Sequence, residues 1–491
     1  MNELKYSRPL GVAARLGENA ADRHQFVNKR VLLHGDSEFL YQDNGRHCLM
    51  YSLRLLPRIC AAVSVYVPRE VPHLREECRH VISAIQFETT IELLDDCPDF
   101  AKFDAILFVG FTTNATLPWT TINSNGWVAR VSSGEQSLSK DCDNVNPVAA
   151  MAAASLGVGE VFKRLVRIDS RRGRLLNGLT FSLLDYSCGN DVSGPSIPLH
   201  ISCSNLLLVG VGAIGNGIIQ LLRDLPLTGE IGIVDRQGYG EENWGTCMCI
   251  GPNDFKKKKV EFAKTYMSNL TCTEYAENVQ DFSSRLQQGL RHPRIILNAL
   301  DNVEARHMVQ NIWPDYVIDG AIGDFGCQVS RHPWGPDIAC LMCQYEDNQR
   351  ESAESMQMNA TGLRLDVLQN PDGLLEDAHI ESAPPDKQDF LRALKGMKIC
   401  SVVQESVAKY ISENADIDFA PSVPFVAAMS AAFVCAELIK TLCGTDSNLE
   451  PLYQFDFLIG PEKGIVVPAA RKRDCICHTR ARNISKFRKS R

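Results

Sequence analysis

Pro147-Val-Ala-Ala-Met-Ala-Ala-Ala-Ser-Leu-Gly-Val-Gly-Glu160-Val-Phe-Lys163-Arg-Leu165 returns, 277 residues later (424 − 147), as Pro424-Phe-Val-Ala-Ala-Met-Ser-Ala-Ala-Phe-Val-Cys-Ala-Glu437-Leu-Ile-Lys440-Thr-Leu442. At that fixed offset Pro, Glu, Lys and Leu coincide. Each segment is followed by a strand-like run, Leu179-Thr-Phe-Ser-Leu-Leu and Leu452-Tyr-Gln-Phe-Asp-Phe. Self-similarity of this kind decides the architecture before any motif is weighed, because it says that one supersecondary unit has been used twice.

Outward from these helices lie short apolar runs: Arg30-Val-Leu-Leu-His-Gly, Ala105-Ile-Leu-Phe-Val-Gly, Asn205-Leu-Leu-Leu-Val-Gly and Ile295-Ile-Leu-Asn-Ala-Leu. Runs that are apolar throughout, rather than alternating, read as parallel strands covered on both faces and separated by helices. The predicted fold class is therefore α/β, with two Rossmann-like doubly wound halves. The stretch from about Gln344 to Ala420 breaks the rhythm, being polar and rich in Asp, Glu, Gln, Asn and Pro, and reads as an inserted or crossover segment.

With 491 residues, 45% hydrophobic and 22% charged, the chain has enough material for roughly two to four globular domains. A net charge of −8 makes nucleic acid a poor first partner. The opening MNELKYSRPL carries charge where a signal peptide needs an apolar core, and the apolar stretch from Phe425 to Ala436 is too short to span a bilayer. The expectation is a cytoplasmic protein with no membrane partner. Its 18 scattered cysteines fit reduced thiols, metal ligands and a nucleophile better than a disulfide framework.

The strand Leu206-Leu-Leu-Val runs into Gly210-Val-Gly212-Ala-Ile-Gly215, and Pro226 stops the helix that follows. Glycines here let the backbone turn tightly and approach a phosphate, whose charge meets the positive end of the helix. Asp235, at the end of the strand Ile231-Gly-Ile-Val, is placed for ribose hydroxyls. In the first half Gly35-Asp-Ser-Glu-Phe stands where a glycine loop would be, so that half is expected not to bind nucleotide. These features alone also fit an NAD-dependent oxidoreductase.

Asp235, Asn243, Lys259 and the hexapeptide Asp301-Asn302-Val-Glu-Ala305-Arg306 turn the reading elsewhere. With an asparagine eight residues after the aspartate (243 − 235) and a lysine sixteen after that (259 − 243), the arrangement resembles the ubiquitin-activating enzymes and the sulfur-carrier adenylyltransferases of thiamine and molybdopterin synthesis, the ThiF/MoeB superfamily. The resemblance implies ATP as substrate, with the glycine loop and Asp235 on the nucleotide and its ribose, Asn243 and Lys259 on the phosphates, and Asp301 on Mg²⁺; Arg306 would brace the site. Attack of a carboxylate on the α-phosphate builds charge on phosphoryl oxygens, which an ammonium and a carboxylate-held Mg²⁺ offset. One departure stands out. The family places an arginine three residues after the asparagine, where this chain has Thr246, and a hydroxyl cannot replace a guanidinium fork. Tyr6-Ser7-Arg8 resembles the start of ubiquitin-activating enzymes, whose inactive half lends this arginine to the active half, although Pro9 replaces the usual glutamine; Arg8 is the candidate compensating cation. Lys256, Lys257 and Lys258 read as a wet helix face.

Cys340-Leu-Met-Cys343 and the distant Cys475-Ile-Cys477-His478 supply two close-spaced sets of soft and borderline ligands, the pattern of tetrahedral structural Zn²⁺. Cys340, Cys343, Cys475 and His478 are the predicted ligands, with Cys477 the rival for the fourth. Between Cys343 and Cys435 the single cysteine is Cys400, in Lys398-Ile-Cys400-Ser401, which resembles the thioester-forming cysteine of ubiquitin-activating enzymes. A thiol suits that role because it captures an acyl-adenylate and passes the acyl group on to another thiol.

The resulting expectation is a compact activating enzyme similar to those of bacterial ubiquitin-like conjugation operons, some of which serve antiviral defence. It divides into an inactive half, 1–195; the first part of an active half, 196–345; a catalytic-cysteine crossover, 346–420; the return of the active half, 421–470; and a zinc-ligand segment with a basic tail, 471–491. It would adenylate the C-terminal glycine of a ubiquitin-like protein, form a thioester on Cys400 and serve a conjugating enzyme, as a monomer with an internal pseudo-dimer or as a homodimer. The alternative is a sulfur-carrier adenylyltransferase that needs no thioester. The region from Phe39 to Cys97 suggests no chemistry, and the tail from Arg471 reads as a solvated end.

Overall fold

In the computed structural model the described residues are 28–490 without 88, 324, 336, 346–352, 371, 404, 407–422 and 446–451. They fall into two compact units, the smaller built on Asp347–Pro421 and the larger on Leu16–Glu346 with Ser422–Arg491.

The larger unit holds two sheets. The first contains β1 (Arg30–Gly35), β2 (Ala62–Tyr66), β3 (Thr90–Leu94), β4 (Ala105–Val109), β5 (Trp119–Asn125), β6 (Val128–Ser132) and β7 (Leu179–Ser182), in the order β3-β2-β1-β4-β5-β6-β7. The second contains β8 (Ile201–Val209), β9 (Leu227–Val234), β10 (Thr271–Tyr275), β11 (Ile295–Asn298), β12 (Tyr316–Gly323), β13 (Gly326–Pro333), β14 (Leu452–Asp456) and β15 (Ile465–Val467), in the order β10-β9-β8-β11-β12-β13-β14-β15. In both, five parallel strands are followed by antiparallel ones, so the second sheet repeats the first and adds one strand at the edge. The α/β fold with two parallel-dominated sheets read from the repeat is the observed one.

The helices that position the site are α1 (Asp43–Leu55), α2 (Pro72–Ile85), α3 (Pro147–Leu165), α4 (Ala213–Asp224), α5 (Lys259–Tyr266), α6 (Val279–Gln287), α7 (Val303–Gln310) and α8 (Pro424–Cys443). The repeated Ala-rich segments are α3 and α8, each opened by Pro at the first turn, where its missing N–H costs nothing. Both are apolar all round because they are buried all round, packed against each other between the two sheets. Small residues permit close packing around α8: a Cβ at Gly159 in α3 would lie 3.4 Å from Phe425 in α8, and one at Gly217 in α4 would lie 2.7 Å from Ala431 in α8. Among the described residues α8 is the one helix long and apolar enough to cross a membrane, and 89% of its apolar window is buried inside the protein.

The smaller unit contains helices Ala353–Thr361, Leu365–Leu368, Asp377–Ser382 and Pro385–Ala393. Its polar composition conceals a core of its own, made by Leu363, Leu375, Ile380, Leu391, Ile399 and Val402.

Candidate functional site

The second sheet reverses its strand order between β8 and β11, and ligands of open α/β sheets bind at the carboxyl ends of strands flanking such a point. There β8 turns through Gly210, whose φ of 87° suits glycine alone among ordinary residues, into α4 capped by Gly212. A Cβ at Gly215 would lie 2.1 Å from the carbonyl of Gly210, so this glycine lets the helix seat on its own turn. A Cβ at Gly212 would meet no protein atom within 4 Å. The turn is therefore closed on the protein side and clear on the outer side, beside the first N–H groups of α4, where a phosphate fits.

Asp235, directly after β9, accepts hydrogen bonds from the N–H of Val211 at 2.8 Å and of Gln237 at 2.8 Å, latching the glycine loop to the neighbouring strand end. Gln237 in turn accepts a 2.8 Å bond from the ammonium of Lys259, which opens α5 and is only 5% exposed. The same ammonium stands 5.7 Å from the ring centre of Tyr239. The Tyr239 hydroxyl donates to the carbonyl of Val211 at 2.9 Å and accepts from Asn216 of α4 at 3.0 Å. Loop, Asp235 and Lys259 are thus members of one hydrogen-bonded assembly. Asn243 accepts from Gly240 N–H at 2.9 Å and closes a short helical turn, Glu241–Asn243.

Asp301 is exposed, two residues beyond Ala299, whose N–H bonds Val209 at the end of β8. Asn302 caps α7 by accepting from Ala305 N–H at 2.7 Å. Arg306 packs inward: its Nε meets the fully buried Asp319 at 3.2 Å, its Nη1 reaches the Asp301 carbonyl at 3.4 Å, and its guanidinium lies 4.5 Å from the Tyr345 ring centre. Tyr345 OH and Asn298 also bond Asp319.

Thr246 is 4% exposed and its hydroxyl turns back to the Asn243 carbonyl at 3.4 Å. Arg8, the expected compensating cation, lies outside the described residues. Gln237, Tyr239 and Asn216 do not stand out in the motif reading of the sequence. Asn216 has a local signal all the same, being a fully buried amide on a helix whose neighbours are apolar.

Near the start of β12, Cys340, Cys343, Cys475 and Cys477 bring four sulfurs within 4.8 Å of one another, a group that can hold a metal ion. Sulfur separations are 3.8 Å for Cys340–Cys343, 3.6 Å for Cys340–Cys475 and 3.5 Å for Cys343–Cys477. The predicted fourth ligand is corrected here: Cys477 is buried against Trp313 and Ile484, whereas His478 is exposed. The hydrogen bonds that Cys343 accepts from the Cys340 thiol and the Lys472 N–H hold its thiol below the ordinary value. The basic tail is no loose end, since Ala481–Lys489 is a helix anchored by Ile484 and by Arg488 on Asp315 at 2.5 Å. Cys400 is half-buried in the smaller unit, next to Ile399 of its core.

Residues 192–477, more than half of the chain, match the ThiF family. The chain belongs to the ThiF family. Residues 53–181 match the BilD N-terminal domain. The uncharacterized protein y4jF of Sinorhizobium fredii is 23% identical over 360 residues, 70% of this chain and 69% of y4jF. The ubiquitin-activating enzyme E1-like protein of Saccharomyces cerevisiae is 35% identical over 114 residues, 22% of this chain and 18% of that protein. A crystal structure of E. coli MccB with MccA-N7isoASN aligns at 15% identity with a TM-score of 0.35, covering 57% of this chain and 68% of MccB. Membership in the ThiF family places the matched half among adenylyltransferases and supports ATP-dependent adenylation of a substrate.

Proposed function

We propose that this protein activates the C-terminal carboxylate of a ubiquitin-like protein with ATP, captures it as a thioester on Cys400 and passes it to a conjugating enzyme. The observation that carries the reading is the Lys259 ammonium, held by Gln237 within the assembly that latches the glycine loop to Asp235. Among the described residues the first sheet has no equivalent. There a Cβ at Gly35 would lie 2.8 Å from Leu40, and Asp36 caps the helical turn Ser37–Leu40, so side chains of the protein fill the corresponding turn.

Asp235 would bind the ribose, and Asn243 and Lys259 the phosphates. A carboxylate oxygen of the carrier attacks the α-phosphorus, and the bond to pyrophosphate breaks. Lys259 offsets charge on the phosphoryl oxygens as that bond lengthens. Mg²⁺, which Asp301 would hold, supplies further charge compensation on the phosphates. The Cys400 thiolate then attacks the acyl carbon and AMP leaves, the thiol proton having gone to solvent or a base. The likeness to the yeast E1-like protein supports a ubiquitin-like carrier, and the BilD N-terminal match supports the compact operon-type plan. The four thiols suit structural Zn²⁺, since tetrahedral ligands on Zn–S bonds of about 2.3 Å stand about 3.8 Å apart, close to the separations observed.

ATP–pyrophosphate exchange with small carrier proteins encoded beside the gene tests the reading. Exchange should require the carrier's C-terminal glycine, and Cys400→Ala should retain exchange while losing a thiol-reducible conjugate. Exchange with no such conjugate in the wild type would leave a sulfur-carrier adenylyltransferase, and no exchange with any carrier would sink the proposal.

A further inference from the structure

Arg58 belongs to the half without a glycine loop, yet its guanidinium reaches into the other half. It ends the turn Leu56–Arg58 after α1 and is fully buried. Its guanidinium lies 4.0 Å from the ring centre of Trp244, and Nη2 donates to the carbonyl of Ile250 at 2.9 Å and of Met248 at 3.4 Å. Trp244, also fully buried, follows Asn243 directly and donates its indole N–H to the carbonyl of Ile85 at the end of α2. A Cβ at Gly251 would lie 1.7 Å from the carbonyl of Ala84, so backbone meets backbone at this seam. The segment 243–251 is moulded against the first half.

From that segment the bonding continues to the nucleotide loop. Cys249 N–H donates to Asn216 Oδ1 at 2.7 Å, Asn216 donates to the Tyr239 hydroxyl, and that hydroxyl donates to the Val211 carbonyl between Gly210 and Gly212. We infer that Arg58 is a positioning residue for adenylation, setting the 243–251 segment so that Asn243 and the glycine loop meet the nucleotide in one geometry. The inference rests on the adenylation reading above. It also gives the half without its own site a part in the chemistry, because a planar fork that stacks on an indole and meets two carbonyls registers the segment as a lysine's point charge cannot. Thr246 lies within the same segment, its hydroxyl turned back to the Asn243 carbonyl.

The test compares the full-length wild type with Arg58→Lys, Trp244→Phe and Arg75→Lys. Arg75 is the control, a buried arginine that bonds the carbonyls of Val67 and Leu94 within the first half. Two readouts are taken at matched folded fraction: pyrophosphate-exchange kinetics, giving kcat and the KM values for ATP and carrier, and the Kd of a fluorescent ATP analogue. Arg58→Lys should lower kcat/KM for ATP at least tenfold and weaken analogue binding, with KM for the carrier unchanged; Trp244→Phe should follow in the same direction, and Arg75→Lys should lose stability while keeping both readouts. Wild-type values for Arg58→Lys, or equal losses in Arg75→Lys, would overturn the positioning role. A wild type that binds the analogue but shows no exchange would overturn the proposed function alone, and analogue binding by the variants would still decide Arg58. A wild type that neither binds nor exchanges overturns both.

Discussion

Lys163 in α3 donates to the carbonyl of Phe457 at 3.0 Å, crossing from the first half to the end of β14 in the second. Its repeat counterpart Lys440 in α8 crosses the other way, to the carbonyls of Leu183 and Leu184 just beyond β7, each at 3.0 Å. Each lysine also pairs with a glutamate one turn earlier, Glu160 and Glu437, and all four side chains are buried. The two halves therefore exchange corresponding ties. Removing Lys163 takes from Glu160 its buried ion pair, so Lys163→Met should cost about 3–5 kcal/mol, whereas Glu437 keeps Arg331 at 3.6 Å and the Tyr186 hydroxyl, so Lys440→Met should cost less; both are read as a lowered midpoint in urea unfolding. Loss at one site with none at the other would contradict the correspondence of the ties.

Lys259→Met removes the ammonium while keeping the stem of the side chain. Losing one preorganised stabiliser of this kind costs about 10²–10³ in kcat. Gln237→Leu leaves Lys259 in place but unaimed, and a smaller loss of about tenfold is expected from one hydrogen bond to a charged group. Exchange rates at saturating ATP measure both.

The glycines of the loop separate folding from binding. Gly215→Ala sets a methyl against the Gly210 carbonyl and should lower the Tm as well as activity. Gly212→Ala sets its methyl on the clear outer side of the turn, where it meets no protein atom within 4 Å, so its Tm should stay near wild type while affinity for ATP falls. Calorimetry of nucleotide binding beside thermal melts distinguishes the two, and unaltered ATP affinity in Gly212→Ala would argue against phosphate binding at this turn.

Metal content should follow Cys477 and ignore His478. Cys477→Ser is expected to lose bound zinc and stability, whereas His478→Ala should retain one zinc per chain by elemental analysis. The reverse result would return the fourth ligand to the histidine.

Burial lowers the pKa of His34, His47 and His332 below the ordinary 6.5. The unfolded chain then takes up protons that the native state resists, so stability is fully present above pH 6.5 and is lost as pH falls through the folded values. Urea midpoints should drop as pH falls below about 6.5, and His47→Gln, which removes the group beside Asp224, should flatten that drop. An unchanged slope would remove His47 from the set.

Legible in the residues alone were the doubled α/β architecture, the half that carries the glycine loop, and the close-spaced pair Cys340 and Cys343. These are written in local terms: apolar runs of strand length, glycines at turn spacing, and two helices alike enough to align. Packing decided the rest. Cys477 and His478 are neighbours in sequence, and only the turn at Ile476–Thr479 sends one inward and the other to solvent. Gln237 could not be assigned to Lys259 from spacing, because the bond joins residues 22 apart across a turn whose course no periodicity reveals. Arg58 meets Met248 across 190 residues of chain, and a contact of that span exists only once two separately folded sheets have been set side by side. Its one trace in the sequence is a charge within the otherwise apolar run from Leu55 to Cys60. Local physics decides which elements form, whereas the tertiary structure decides which of their polar side chains face one another.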